Sequence, residues 1–255
     1  WGRLCLLDTR RRSHEISRFF KELKAFLHEH EITIILHVRR MDLYYESLYR
    51  QSIKSGSPYG RKQFKHLARE RDPDNFLGLI KLMQESFGEE NIVVRPLERG
   101  QLEDGDLVSD FLGILGLTER KNDFTSQYGN EGLQRDLLET LARTNKKYGK
   151  LVSNMELLLL SEILKEQYKF GDEKYILSHQ EREEIMVQYH PFHQYLEKHY
   201  NDNKLLFLEP MPGDDHLSYK LDPERYKKIR NMLYYVHHNG MSYMPSADFL
   251  VDTPA

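Results

Sequence analysis

Residues 32–56 read ITIILHVRRMDLYYESLYRQSIKSG. The apolar run from Ile32 to Leu36, continued by Val38, is rich in β-branched residues and bounded by charged sequence. A strand covered on both faces needs no polar alternation, so this run predicts a buried parallel strand. It stops at Arg39-Arg40, Asp42 is the expected N-cap, and Leu43 to Ser55 keeps helical spacing until Gly56 closes it. The unit is strand, short basic turn, helix. In open α/β sheets ligands bind at the carboxyl ends of strands, often with anionic groups facing a helix N-terminus. Arg39 would offer a planar fork of donors to a phosphate, and Ser47, on the second turn of the helix, one more donor. The competing reading is two surface arginines at a strand exit and an ordinary helix serine.

Working outward, RLCLLD at 3–8 predicts a short strand ending near Asp8. Ile16, Phe19, Phe20, Leu23, Phe26 and Leu27 recur at three and four after Ser13, which predicts a helix crossing back to the strand at 32–38. The charged segment 57–75, SPYGRKQFKHLARERDPDN, reads as a solvated loop or as a lid meeting an anionic acceptor. Leu77–Phe87 is expected to be a helix closed by Gly88, Ile92–Arg95 the next strand, and Asp106–Leu115 a helix ended by Gly116. Arg95 would leave its strand on the edge that carries Arg39, facing a cleft or pairing with Glu98.

The second half is helical in pattern. Glu131 to Tyr168 is broken near Tyr148-Gly149, and the run Met155–Leu160 predicts burial all round. Ser178-His179-Gln180-Glu181 has the form of a capping box. The helix it opens reaches Tyr189, meets Pro191 and resumes to Tyr200. Lys204–Leu208 would be an edge strand or a docking segment, and Pro223–His238 a last helix. The fold class is therefore α/β, with an α/β part at 1–117, a mainly helical part at 118–240 and a tail at 241–255.

Composition excludes several classes. A net charge of −3 with 30% charged residues is not that of a bulk polycation, so non-specific nucleic-acid binding is not expected. No window carries eighteen consecutive apolar residues, so no membrane span is expected. With Cys5 as the single cysteine, intramolecular disulfides and Cys-based zinc sites are excluded, which suits a reducing, cytoplasmic compartment. The histidines at 190, 193, 199, 237 and 238 fit no metal-ligand spacing, so no metal is expected.

The order Arg39, Asp42, Ser47, Tyr49 resembles the 3′-phosphate-binding segment of sulfotransferases that use 3′-phosphoadenosine 5′-phosphosulfate (PAPS), and VRRMDLYYESLYRQSIKSG is most similar to the bacterial carbohydrate-type group. Two later blocks resemble that family in the same order: ENIVVRPLERGQLEDGDLVSDFLGILGL at 90–117 and NEGLQRDLLETLARTN at 130–145. Together the blocks cover roughly residues 5–210. The resemblance implies a P-loop NTPase-like three-layer sandwich with a mostly parallel sheet and a helix-rich C-terminal half. It also implies sulfuryl transfer from PAPS to a hydroxyl of an acceptor, a saccharide in the group it resembles, with adenosine 3′,5′-bisphosphate as the product. Arg39 and Ser47 would bind the 3′-phosphate, Asn130 would lie near the nucleotide, and Asp8 would point toward the sulfuryl end as the candidate base. His37 is the other imidazole near the phosphate turn, and its place in a strand reads as packed core.

The sequence departs from the family at the glycine-rich loop that holds the 5′-phosphosulfate. GSPYGRK at 56–62 follows a helix rather than a strand, and HNGMS at 238–242 lacks a basic residue. The start at Trp1 with immediate entry into a strand reads as a chain whose upstream part is missing. Two rival readings stay open: a kinase-like or NTPase-like enzyme on the same fold, and a non-catalytic remnant that has lost the donor loop.

Overall fold

The computed structural model describes residues 9–58, 60, 73–124, 133–168, 175–214 and 220–240. The expected strand at 3–8, Cys5, Asp8, Asn130 and most of the charged segment 57–75 lie outside these residues. The described architecture is mixed α/β and rich in helix, with a parallel two-stranded sheet. Two compact units divide the chain, each drawn from non-contiguous stretches.

The first unit takes residues 1–42, 71–127 and 180–211. Its described elements are α1 (Thr9–Phe26), β1 (Ile34–Val38), the start of α2 (Met41–Lys54), α3 (Asp74–Phe87), β2 (Ile92–Pro96), α4 (Leu107–Ile114), α7 (His179–Gln188, from Gln180 onward) and α8 (His190–Tyr200). β1 and β2 run parallel in register from Ile34↔Ile92 to Val38↔Pro96, and Leu97 N–H donates to Val38 O at 2.7 Å, one step past the ladder. Parallel neighbours need a long crossover, and here α2 and α3 lie in it.

The core of this unit forms where apolar helix faces meet the strands. Leu36, Ile92 and Val94 are buried in the sheet. α1 packs along α3, with the Phe20 ring edge-on to Phe87 at 5.5 Å. α8 packs against α3 and β2, where Phe76 meets Tyr189 and Phe192 at 5.8 and 5.6 Å and Tyr195 Oη donates to Gln84 Oε1 at 2.6 Å. Pro191 stands in the first turn of α8, where its missing N–H costs no helix bond.

The second unit takes residues 43–70, 128–179 and 212–255. It contains the rest of α2, α5 (Arg135–Tyr148), α6 (Asn154–Tyr168) and α9 (Pro223–Asn239). One apolar cluster joins Ile53 of α2, Leu137 and Leu141 of α5, Leu160 and Leu164 of α6, and Leu233 of α9. Asn145 secures the end of α2, donating from Nδ2 to the carbonyls of Ile53 and Ser57 at 2.8 and 3.3 Å. Gly56 follows with φ +93, a left-handed backbone that places its ideal Cβ 2.8 Å from Lys150 Cβ.

Three expectations need correction, and a fourth is settled between its two alternatives. α2 begins at Met41, so Asp42 lies inside the first turn rather than capping it, because its carboxylate is held by arginines. Arg95 pairs with Asp110 and not with Glu98, since α4 brings Asp110 against β2. Met155–Leu160 is not buried all round: Leu157 and Leu160 are buried, but Met155 is 66% exposed and Leu158 and Leu159 also face solvent. A helix offers one face to a core at a spacing of three and four, whatever its composition. Lys204–Leu208 forms no strand; it docks through its backbone, Leu206 N–H to Glu197 and Leu208 N–H to Glu98.

Candidate functional site

Arg39 and Arg40 leave β1 together and go to different fates. Successive side chains of an extended chain point to opposite faces, so burying one presents the other. Arg40 is buried at 4% exposure. Its Nε and Nη2 grip the two oxygens of Asp42 at 2.8 and 3.2 Å, and Nη1 donates to the carbonyl of Glu209. Burial works against the Arg40 cation, but the Asp42 carboxylate outweighs it and the pKa is raised.

A second arginine completes the network. Arg182 of α7 donates from Nη1 to Asp42 Oδ2 at 2.7 Å, with both side chains wholly buried. Burial opposes the charged form of Asp42, yet the two guanidiniums hold its pKa below the usual carboxylate range. Glu98, 2% exposed, faces Arg40 and takes the backbone N–H groups of Leu208 and Glu209. This network fixes the turn between β1 and α2 from below.

Arg39 has no such partner among the described residues, and it is exposed. Its pKa is lowered by desolvation alone. It precedes the N-terminus of α2, whose first-turn N–H groups carry the positive end of the helix dipole. Ser47 is half-buried on the second turn of that same helix.

A second cluster lies on the β1–β2 ladder. His37 and Arg95 are paired positions in the register, and both reach Asp110 of α4. His37 Nε2 is 2.9 Å from Asp110 Oδ2, and Arg95 Nη2 is 2.6 Å from Oδ1. Burial pushes the Asp110 pKa up, but Arg95, His37 and the Glu103 N–H together bring it down. Bound in this way, His37 is a part-buried strand residue locked to a buried carboxylate.

The structure therefore brings Arg39 and the start of α2 to one edge of the sheet, while Asp8 and Asn130 fall outside the described residues. Arg182 and Glu98 were not singled out as ligands of this turn. Asp110 could have been found: it is a lone carboxylate in the apolar run VSDFLGIL. Arg182 carries no comparable local signal.

Among the described residues no group of three or more His, Cys, Asp or Glu could hold a metal, and no helix is long and apolar enough to cross a membrane. His193 packs between Phe192 and Phe207, and His199 lies 2.8 Å from Glu89. No protein-family model and no solved structure matches the chain. A stretch of 104 residues, 41% of this chain, is 32% identical to an uncharacterised protein of Archaeoglobus fulgidus. That stretch spans about a quarter of the archaeal protein's length, 26%, so it is one part of a longer chain to which this sequence is similar.

Proposed function

We propose that the protein transfers a sulfuryl group from PAPS to a hydroxyl of an acceptor, with Arg39 binding the 3′-phosphate of the donor. The observation that carries this reading is the division of labour at the exit of β1. Arg40 is consumed by Asp42, Glu209 and Glu98, whereas Arg39 stands exposed beside it without a carboxylate partner among the described residues. An unpaired guanidinium at the carboxyl end of a parallel strand, next to a helix N-terminus, suits a phosphate monoester.

Ser47 adds a hydroxyl farther along the same helix. The motif Arg39, Asp42, Ser47, Tyr49 and the two later blocks support the choice of PAPS. The saccharide acceptor rests on that resemblance. On this reading β1 and β2 belong to a larger, P-loop NTPase-like parallel sheet in a cytoplasmic enzyme. The acceptor oxygen forms the new bond to sulfur, the bond from sulfur to the 5′-phosphate oxygen breaks, and a base takes the acceptor proton.

Calorimetric titration of adenosine 3′,5′-bisphosphate beside adenosine 5′-monophosphate tests the assignment. The expected result is a preference for the bisphosphate that disappears in Arg39→Ala. Equal affinity for the two nucleotides in the wild type would overturn it.

A further inference from the structure

α5 and α9 lie side by side in the second unit and run in the same direction. Near their starts Arg225 Nη1 donates to Asp136 Oδ2 at 3.2 Å, and near their ends the Tyr148 and Tyr234 rings meet edge-on at 5.2 Å. The carboxylates of both helices stay at the first of these ends. Asp136 takes Arg225, Glu139 takes Arg135 and Asp222 caps α9. Beyond them, neither the stretch 140–155 nor the stretch 225–240 contains an Asp or Glu.

Past that point tyrosine rings hold three cations on the two helices. Arg143 lies over the Tyr226 ring with Cζ 5.1 Å from its centroid, and Arg230 Cζ is 5.9 Å from the same centroid. Lys147 Nζ stands 4.8 Å from the Tyr148 centroid. Arg143 and Lys147 are exposed and Arg230 is half-buried. Arg230 Nη2 donates to the Asn231 amide oxygen at 3.3 Å, and none of the three cations pairs with a carboxylate among the described residues. A helix dipole draws cations into the last turn, which accounts for Lys147. It does not account for Arg143, which precedes the last turn of α5, or for Arg230 in the middle of α9. A ring contact orients a cation without neutralising it, so the counter-charge is left to come from outside.

We propose that this face of α5 and α9 binds a sulfated polysaccharide, with Arg143 and Arg230 taking one sulfate group and Lys147 the next. The arginines present planar forks to the first group, and the ammonium a point charge to the second. One helical turn separates Arg143 from Lys147, a rise of about 6 Å, which suits anions repeated along a chain. A long nucleic acid fits less well. The protein as a whole carries a net charge of −3, which opposes a large polyanion away from the stripe. Bases also stack on open rings, whereas Tyr226 and Tyr148 already carry cations. The choice of a saccharide polymer rests on the acceptor reading above. The site itself includes neither Arg39 nor Ser47.

The experiment is a calorimetric titration at low and moderate salt with dextran sulfate, uncharged dextran and oligothymidylate. Wild type is compared with the double variant Arg143→Gln/Lys147→Gln, with Tyr226→Phe, Tyr226→Leu and Arg39→Ala, each first checked for a cooperative melt. A second double variant, Arg18→Gln/Lys204→Gln, removes two exposed cations of the first unit as a control for net charge. Dextran sulfate is expected to bind the wild type and dextran not to. Its affinity should fall about tenfold or more in the α5 pair, with a shallower dependence on salt. The control pair, Tyr226→Phe and Arg39→Ala should stay close to the wild type, while Tyr226→Leu, which keeps both arginines but loses the ring, should weaken binding. Equal losses in the two double variants would overturn the site, as would the absence of dextran sulfate binding. Tighter binding of oligothymidylate than of dextran sulfate would overturn the polysaccharide. Loss of the bisphosphate preference with binding of dextran sulfate intact and dependent on Arg143 and Lys147 would retire the donor assignment alone.

Discussion

Arg182 Nη1 lies 2.7 Å from Asp42 Oδ2, and neither side chain retains any solvent exposure. Removing the carboxylate leaves two buried guanidiniums facing each other, whereas removing Arg182 leaves Asp42 still gripped by Arg40. Asp42→Ala is therefore expected to cost about 3–5 kcal/mol. Arg182→Met should cost less, because its aliphatic chain still fills the space. Urea unfolding of both variants checks the order; a larger loss in Arg182→Met would show that the shared carboxylate is not the hub.

The two adjacent arginines at the end of β1 should behave oppositely. Arg39→Ala removes an exposed, unpaired side chain and is expected to stay within about 0.5 kcal/mol of the wild type. Arg40→Ala takes the two-pronged partner from Asp42, leaving it to Arg182 alone, and releases the carbonyl of Glu209, and is expected to lower stability by about 3 kcal/mol or more. Thermal melts of the pair decide. Comparable losses would mean that Arg39 has a structural partner.

Glu98 accepts from the N–H groups of Leu208 and Glu209 and from Gln101 Nε2 at 2.7 Å. Glu98→Ala takes the acceptor from these part-buried bonds, while Gln101 Nε2 keeps the carbonyl of Leu206, so the expected loss is about 1 kcal/mol. Residues 204–209 should then be cut faster by a protease under native conditions. Unchanged proteolysis in a destabilised variant would show that the segment is held by other contacts.

His193 sets a pH window. Burial beside Phe192 and Phe207, with His190 adding a like charge, pushes its pKa down from 6.5 to about 4. The unfolded chain takes up this proton near 6.5 and the folded chain only near 4, so between these values the unfolded state binds more protons and stability rises with pH. The contribution is complete above the upper value and shrinks as pH falls through the window, by on the order of 3 kcal/mol in total. Asp42 and Asp110, whose pKa values are lowered, lose theirs only at more acid pH. Stability measured across the window should flatten in His193→Phe; an unchanged slope would assign the effect to other groups.

What could be read from the sequence was local. β1 announced itself by its β-branched run, and the helices ahead of Gly56, Gly88 and Gly116 stop where those glycines take φ of +93, +91 and +66. The capping carboxylate at Asp106 was implicit in the predicted start of that helix, and it accepts from Ser109 N–H at 2.9 Å. The assignment of Asp42 as a cap failed because its partner Arg182 lies 140 positions away, and no periodicity connects them. The pairing of Arg95 with Glu98 failed for the same reason: ion pairs are chosen by tertiary proximity, which put Asp110 in reach instead. The outward face of α6 was misread because four consecutive leucines hide which of them the helix turns inward.

The first unit is stitched from three separated stretches, the last of which starts at Gln180. A ribosome adding about 5–20 residues per second delivers Arg182 roughly 7 to 28 seconds after Asp42, 140 positions earlier. During that interval the turn after β1 is a nascent element with one of its two buried cations absent, and Glu98 waits equally for Leu208. This unit cannot complete its buried network as its first stretch emerges; its closing step waits for the synthesis of the stretch that carries Arg182 and Leu208.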